Sequence, residues 1–343
     1  MSNQTILVTG GAGYIGSWVV KNLLDKGHTV RVSVRDKSKT EKYENLFELE
    51  KNSTGKLELW EANLTTENSF DEVVKGCDAV IHMASPFVLD TKNPQENLIN
   101  PALKGTENVL NAATKSGTVK RIVLTSSIAA VHGDNADMKE QNITAFNESH
   151  WNTSSNVNHQ PYSYSKTLAE KKAWDIYKNQ NLWELVVINP GFVMGPPLTK
   201  TSNSGSISFL NDVLSGKYKT GAPDLQFGFV DVRDIANAHI LALENQNSKG
   251  RHLVVERVMS VIDFAKVIEK QFPNQYQLPK MIAPKPLVWL LAPIFGITRK
   301  FVAKNVGHHI AFDQSKSKNE LGINYTPIEQ SIKEMVEWYE KSK

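Results

Sequence analysis

Short apolar runs alternate with longer segments of helical periodicity through the first half of the chain. Thr5–Thr9, His28–Val34, Leu57–Trp60, Ala79–Met83 and Arg121–Thr125 are predicted strands, most of them rich in Val, Ile and Leu. Runs of that kind fit central strands buried on both faces. Helices are predicted over Gly13–Lys26, Ser69–Lys75 and Pro94–Ser116, and Leu185–Asn189 reads as a further strand. Repeated strand–helix units define an α/β fold built on a parallel, doubly wound sheet with right-handed crossovers.

The pattern changes after Asn189. Gly195–Ser208, rich in Pro, Ser, Thr and Gly, reads as a loop region, and helical and loop pieces then alternate around one predicted strand, His252–Val255. Asp134–Gln160 is polar and aperiodic, too long for a passive connection, and is expected to cover a substrate. The most apolar late stretch, Pro286–Thr298, is too short to span a bilayer and is expected to form a packed or partly exposed helix pair, not a membrane contact.

Three motifs carry chemistry. Thr9-Gly10-Gly11-Ala12-Gly13-Tyr14-Ile15-Gly16 lies between the first strand and the first helix. Its glycines Gly10, Gly13 and Gly16 permit a tight turn and close approach of backbone N–H groups to a pyrophosphate at the positive end of the helix. The first 190 residues therefore read as a Rossmann-type NADP-binding domain carrying the catalytic groups. Residues 191–343 read as a smaller, mainly substrate-binding region that partly returns to the sheet. The second strand ends Val34-Arg35, with Asp36 next and Lys37, Lys39 and Lys42 nearby. An arginine there grips a 2′-phosphate, so NADPH is the expected cofactor; Asp36 is the residue that opposes this reading, since an acidic side chain serves NAD.

The second motif is Tyr162-Ser163-Tyr164-Ser165-Lys166, and the third is Leu124-Thr125-Ser126-Ser127 at a strand end. Tyr162 and Lys166 are four apart and share a helix face. The ammonium, together with the charge of the oxidised nicotinamide, is expected to lower the phenol pKa so that Tyr162 can pass a proton to a carbonyl oxygen, and Lys166 can also hold ribose hydroxyls. Ser127 would hydrogen-bond the same oxygen as charge develops. Tyr164, two residues from Lys166, falls on another face.

Bulk properties narrow the partners. The 343 residues hold 39 basic and 36 acidic side chains, a formal net charge of +3, which gives no sign of a nucleic-acid partner. Cys77 is the single cysteine, so no intrachain disulfide forms, and a cytoplasmic location is expected. No H-E-x-x-H or comparable pattern points to a metal.

With these motifs in place the chain resembles the extended short-chain dehydrogenase/reductase superfamily. Within it, the chain is most similar to the dihydroflavonol reductase and cinnamoyl-CoA reductase group and to microbial aldehyde and ketone reductases. The resemblance also rests on Ser69-Phe70-Asp71-Glu72, Lys75-Gly76-Cys77, His82-Met83-Ala84-Ser85-Pro86, Gly105-Thr106, Asn189-Pro190-Gly191-Phe192-Val193-Met194-Gly195-Pro196 and Phe229-Val230-Asp231-Val232-Arg233-Asp234. It implies catalytic Ser127, Tyr162 and Lys166, and 2′-phosphate contacts from Arg35 and Lys42. It also implies a cofactor lined by Tyr14, Ile15, Met83, Ala84, Ser85, Thr125, Pro190, Gly191 and Val193. Asn63, before Leu64, stands where the family commonly has an acidic residue at the adenine. Phe87, His132, Phe192 and Phe209 are expected to converge above the nicotinamide, with Ser127 and Tyr162 at the carbonyl. The plant substrate signatures are not intact: His132 replaces an asparagine typical of dihydroflavonol reductases, and His159-Gln160-Pro161-Tyr162-Ser163-Tyr164 replaces the N-W-Y-C-Y-like string of cinnamoyl-CoA reductases. NADPH-dependent reduction of an aldehyde or ketone is the expected activity, by a monomer or homodimer. A nucleotide-sugar epimerase or dehydratase and a non-catalytic dinucleotide sensor are the alternatives.

Overall fold

The computed structural model describes residues 3–85, 91–199 and 204–342. In chain order its strands are β1 (Thr5–Thr9), β2 (Thr29–Val34), β3 (Lys56–Glu61), β4 (Ala79–His82) and β5 (Arg121–Thr125). They continue with β6 (Glu184–Pro190), β7 (Phe192–Met194), β8 (Gln226–Asp231), β9 (Gly250–Val254) and β10 (Arg257–Ser260). Seven of them form one parallel sheet in the order β3-β2-β1-β4-β5-β6-β9, the doubly wound topology expected from the sequence. The strand order reverses between β1 and β4, and ligands of such sheets sit at the carboxyl edge of that switch point.

The apolar character of β1 has a direct cause. Ile6 and Val8 bury into one core with helices Tyr14–Asp25 and Val232–Glu244, while Leu7 points into the opposite core with Val80, Ile122 and helices Asn100–Ser116 and Pro161–Lys178. Both faces are covered, so no strand position is free to be polar.

A second sheet, β10-β8-β7, is absent from the sequence reading. β7 has only three residues, and β8 carries Gly228 in its interior, which reads locally as a breaker. The structure explains that glycine: a Cβ there would lie 2.9 Å from Val255 and 3.0 Å from Phe312. The chain passes from β6 in the large sheet to β7 in the small one through Gly191 alone, where a Cβ would press to 2.5 Å from the Gly228 carbonyl oxygen.

Other expectations shift. The helix predicted over Pro94–Ser116 opens with a π-helical turn, Gln95–Ile99, before the α-helix Asn100–Ser116, and Ser69–Lys75 contracts to Asp71–Val74. Within the predicted loop Gly195–Ser208, Ser204 caps helix Gly205–Leu214 by accepting from the Ile207 N–H. Asp134–Gln160 is not a free cover. Asp134 and Phe146 are buried, the Ala136 N–H bonds to the Lys304 carbonyl, and Phe146 bridges to Phe312. Phe87 lies outside the described residues. No helix among the described residues is long and apolar enough to cross a membrane, and no cluster of three potential metal ligands occurs among them.

Candidate active site

The glycine turn forms a cradle at the end of β1. Gly10 adopts φ +73°, and a Cβ on Gly16 would stand 2.1 Å from the Gly10 carbonyl oxygen, so side chains are excluded where the backbone doubles back. Gly13 heads helix Tyr14–Asp25 without a side-chain cap, leaving its first N–H groups for an anion. Thr9 holds the neighbouring strand end. Its Oγ1 accepts the N–H groups of Met83 and Ala84 at 3.1 and 3.0 Å and meets His82 Nδ1 at 2.7 Å. The Tyr14 hydroxyl donates to the Gly195 carbonyl (2.6 Å), tying the segment after β7 to the cradle.

Arg35 is exposed just past β2, and Lys42 ends the short helical turn Thr40–Lys42. Asp36 is already committed: its carboxylate accepts from the Ser38 N–H and hydroxyl and pairs with Lys39, which holds it below the usual carboxylate pKa. A carboxylate engaged in this way is a poor partner for ribose hydroxyls, which removes the objection to NADPH. Asn63 accepts from Thr65, and the Leu64 carbonyl is held by Asn108. Arg35→Ala is expected to raise the apparent KM for NADPH about tenfold or more and that for NADH little, since one charge-assisted hydrogen bond contributes roughly 1.5–3 kcal/mol. Equal shifts in steady-state kinetics with the two cofactors would remove Arg35 from the site.

Tyr162 sits in the first turn of helix Pro161–Lys178, entered through Gln160 at φ 53°. Gln160 is fixed by donating to the carbonyl of Gly133 (2.9 Å) and to Asp134 (2.7 Å). One turn on, Lys166 Nζ lies 5.9 Å from the centre of the Tyr162 ring. Ser127 follows β5, and its Oγ accepts the Ala129 N–H (3.1 Å), which leaves the hydroxyl proton available to donate. Burial pushes the Tyr162 phenol up to about 12 and the Lys166 ammonium down to about 8, the latter partly offset by Glu170. Withdrawal from water is the cause of the rise; the lowering expected from Lys166 acts together with the positive charge of an oxidised nicotinamide and is expected with the cofactor bound. The phenol keeps its proton at neutral pH, the form a proton donor requires.

Behind this trio lies a buried hub that the sequence reading missed. Glu170 accepts from the Ser126 hydroxyl (2.6 Å), Asn189 Nδ2 (2.8 Å), Arg251 Nε (2.6 Å) and Trp174 Nε1 (3.2 Å). Asn189 Nδ2 also donates to the Ser127 carbonyl (3.0 Å). The carboxylate thereby joins the catalytic helix to β5, β6 and β9. Its one signal in sequence is an acidic residue four positions after Lys166.

Thr125, expected at the cofactor, bonds its hydroxyl to His239 Nε2 at 2.6 Å, and His239 Nδ1 donates to the Ile235 carbonyl. Burial lowers His82 to about 3 and His239 to about 4. Because these folded-state values lie below the ordinary 6.5, the unfolded chain takes up protons first on acidification. Stability is then present above the ordinary histidine range and falls as the pH drops from there towards about 4. Urea unfolding followed between pH 7 and 5 is expected to show this decline, with a shallower slope in His239→Gln. A pH-independent midpoint would contradict it.

One cavity of about 840 Å³ gathers most of the expected site residues. Gly10, Gly13, Tyr14, Ile15 and Gly16 line one part of it, with Met83 and Ser85 from the end of β4. Thr125, Ser127, Tyr162 and Lys166 line the middle, and Pro190, Gly191, Phe192 and Val193 continue the wall to His132 and Phe209. Arg35, Lys42, Asn63, Leu64 and Ala84 are outside the lining; Ala84 instead backs the glycine turn, its N lying 3.0 Å from a Cβ built on Gly10. Asn135, Gln160 and Phe227 are lining residues the sequence did not single out. Phe192 packs edge-on to Phe209 at 5.4 Å and stacks on Phe227 at 5.6 Å. His132 stacks on Phe146 at 5.1 Å, and its buried Nδ1 has no partner among the described residues.

The fold and this cradle define a dinucleotide-binding α/β protein, and the chain belongs to the NAD dependent epimerase/dehydratase family, which its residues 6–255 match. Along nearly its whole length it is similar to the cinnamoyl-CoA reductase CAD2 of Medicago truncatula, 41% identical over 99% of this chain and 97% of that one. A dihydroflavonol 4-reductase of Gerbera hybrida is 36% identical over 80% of this chain and 74% of its own. Among solved structures, the yeast methylglyoxal/isovaleraldehyde reductase Gre2, complexed with NADPH, superposes with a TM-score of 0.79 at 27% identity, covering 99% of this chain and 100% of that one. The resemblance read from the motifs is thus borne out at the level of family and fold.

Proposed function

We propose that this protein reduces an apolar aldehyde or ketone to an alcohol with NADPH. The observation that carries the reading is a single cavity holding a protonated tyrosine, a lysine one turn away and a serine at a strand end, facing a wall of phenylalanines. The glycine cradle and the committed Asp36 suit NADPH, which when bound supplies the hydride. The chain's residues do the rest. Ser127 donates a hydrogen bond to the carbonyl oxygen and favours charge developing there. Tyr162 passes its phenolic proton to that oxygen. Lys166, protonated below about pH 8, stabilises the phenolate left behind. Phe192, Phe209 and Phe227 exclude water from the reacting carbon.

A nucleotide-sugar substrate fits less well. Arg233, a candidate for a diphosphate, is held by Asp231 at 2.8 Å and Glu334 at 2.6 Å; Lys200 lies outside the described residues. An apolar wall of this kind favours a hydrophobic or aromatic carbonyl. A single buried thiol, Cys77, fits a reducing, cytoplasmic setting.

The test is NADPH and NADH oxidation across aldehydes, ketoesters, diketones, flavanonols and UDP- or GDP-sugars. Aromatic or medium-chain carbonyls are expected to turn over with NADPH, and sugar nucleotides not at all. Tightly bound NAD in the purified protein together with turnover of a UDP-sugar would replace this reading with an epimerase. His132→Ala and Phe209→Ala are expected to change relative rates within the carbonyl panel; an unchanged ranking would take both out of substrate selection.

A further inference from the structure

The late apolar stretch forms helix Lys285–Leu291 and the turn Ala292–Phe295, packed beside helix Arg299–Asn305. Its inner side, Val288 and Ala292, joins Val302 and Val306 in a small core. Its outer side has no such cover. Met281, Ile282, Leu287, Trp289, Leu290, Ile294 and Phe295 each expose between 41 and 77% of their area. Among the described residues the only other large hydrophobic side chain so exposed is Leu182. Leu287, Leu290 and Ile294 recur at helical spacing on one outward face. Scattered exposed apolar residues are ordinary, but this many within fifteen positions is an interaction surface.

The charge of the same segment says what it meets. No Asp or Glu occurs between Glu269 and Asp313, whereas Lys280, Lys285, Arg299, Lys300 and Lys304 do. Acidic groups of other elements reach the segment beside Lys304, Asn305 and Gly307: Asp134 and Asp137 are buried, Asp134 accepts from Asn305, the exposed Glu140 pairs with Lys304, and the half-buried Asp224 accepts the Gly307 N–H at its carbonyl. Lys280, Arg299 and Lys300 are exposed, and the Arg299 guanidinium lies 4.5 Å from the centre of the Trp289 ring. An apolar face ringed by cations, with a tryptophan beside an arginine at its edge, is the arrangement of a helix lying in the headgroup region of an anionic bilayer. A symmetric contact with a second copy would set Lys280, Arg299 and Lys300 against one another with no acid within the segment to answer them.

We propose that Met281–Lys300 docks this protein on an anionic membrane surface, its apolar side chains entering the headgroup boundary and its basic residues pairing with lipid phosphates and carboxylates. The length of the stretch excludes a span, and for that reason a membrane partner was not expected from sequence; length does not bear on a contact that lies along the surface. Helix Arg299–Asn305, which continues from this segment, lines the reductase cavity with Phe301 and Asn305, so docking sets that cavity close to the bilayer.

Flotation of the full chain with phosphatidylcholine vesicles, with and without phosphatidylserine, tests this without reference to turnover, so the proposal stands or falls apart from the reductase reading. Binding is expected to phosphatidylserine-containing vesicles, to weaken as salt rises, and to drop about tenfold or more in Ile294→Asp/Phe295→Asp and in Arg299→Glu/Lys300→Glu. The melting temperature of each variant and its NADPH oxidation with a water-soluble aldehyde are expected to match the parent. Absence of binding to the anionic vesicles, or equal binding by parent and variants, would overturn the proposal. So would a dimer in sedimentation that Ile294→Asp/Phe295→Asp dissolves while vesicle binding is undetectable, which would assign the face to a second copy.

Discussion

Tyr162→Phe is expected to lower kcat by about 10²–10⁴ while leaving the dissociation constant for NADPH near that of the parent. The substitution removes one oxygen and almost no volume, so the helix Pro161–Lys178 and the packing around Gln160 persist. What disappears is the proton held on a phenol that burial keeps protonated far above neutral pH. Ser127 and bound cofactor alone leave the nascent alkoxide to be protonated by whatever water reaches it, and the aromatic wall admits little. Single-turnover measurements would separate this chemical defect from binding. Turnover within a few-fold of the parent would move the donor's role to another group, Tyr164 first.

Glu170→Ala is expected to cost about 3–5 kcal/mol of stability, because it strands Arg251 as a buried charge and leaves Ser126 and Asn189 without their acceptor. Urea unfolding measures the loss. Glu170→Gln, which keeps an acceptor, should lose less, and Glu170→Leu combined with Arg251→Met should recover part of the deficit, since removing both charges avoids the unpaired one. A single alanine variant within about 1 kcal/mol of the parent would mean that water already shares the pair.

The legible parts of the site were those written in local spacing. Gly10, Gly13 and Gly16 follow a strand and open a helix, and Tyr162 and Lys166 stand four apart on one helix, so neighbours along the chain fixed their geometry. The central strands β1, β4, β5 and β6 were legible because both faces of each are covered. The hub of Glu170 and Arg251 joins residues 81 positions apart, and no local pattern announces such a pairing. The second sheet escaped notice because β7 is brief and Gly228 interrupts β8 for a reason that lies in Val255 and Phe312. Neighbouring charge at Tyr162 is visible in a sequence, whereas the desolvation that raises its pKa belongs to the assembled cavity. Asp134–Gln160 looked like a cover because its polarity was visible and its anchors, Lys304, Asn305 and Phe312, were remote.

Gly191 gives this architecture an inheritance of two separable parts. On its amino-terminal side lie the cradle, the serine, the tyrosine and the lysine; on its carboxy-terminal side β7, β8 and helix Gly205–Leu214 carry Phe192, Phe227 and Phe209 before β9 returns to the large sheet. The wall lies between Gly191 and the return of the chain at β9, whose Arg251 holds Glu170, so exchange of the three phenylalanines leaves that anchor of helix Pro161–Lys178 in place. A laboratory library confined to Phe192, Phe209 and Phe227 is therefore expected to change which hydrophobic carbonyl is accepted while Ser127, Tyr162 and Lys166 keep their places.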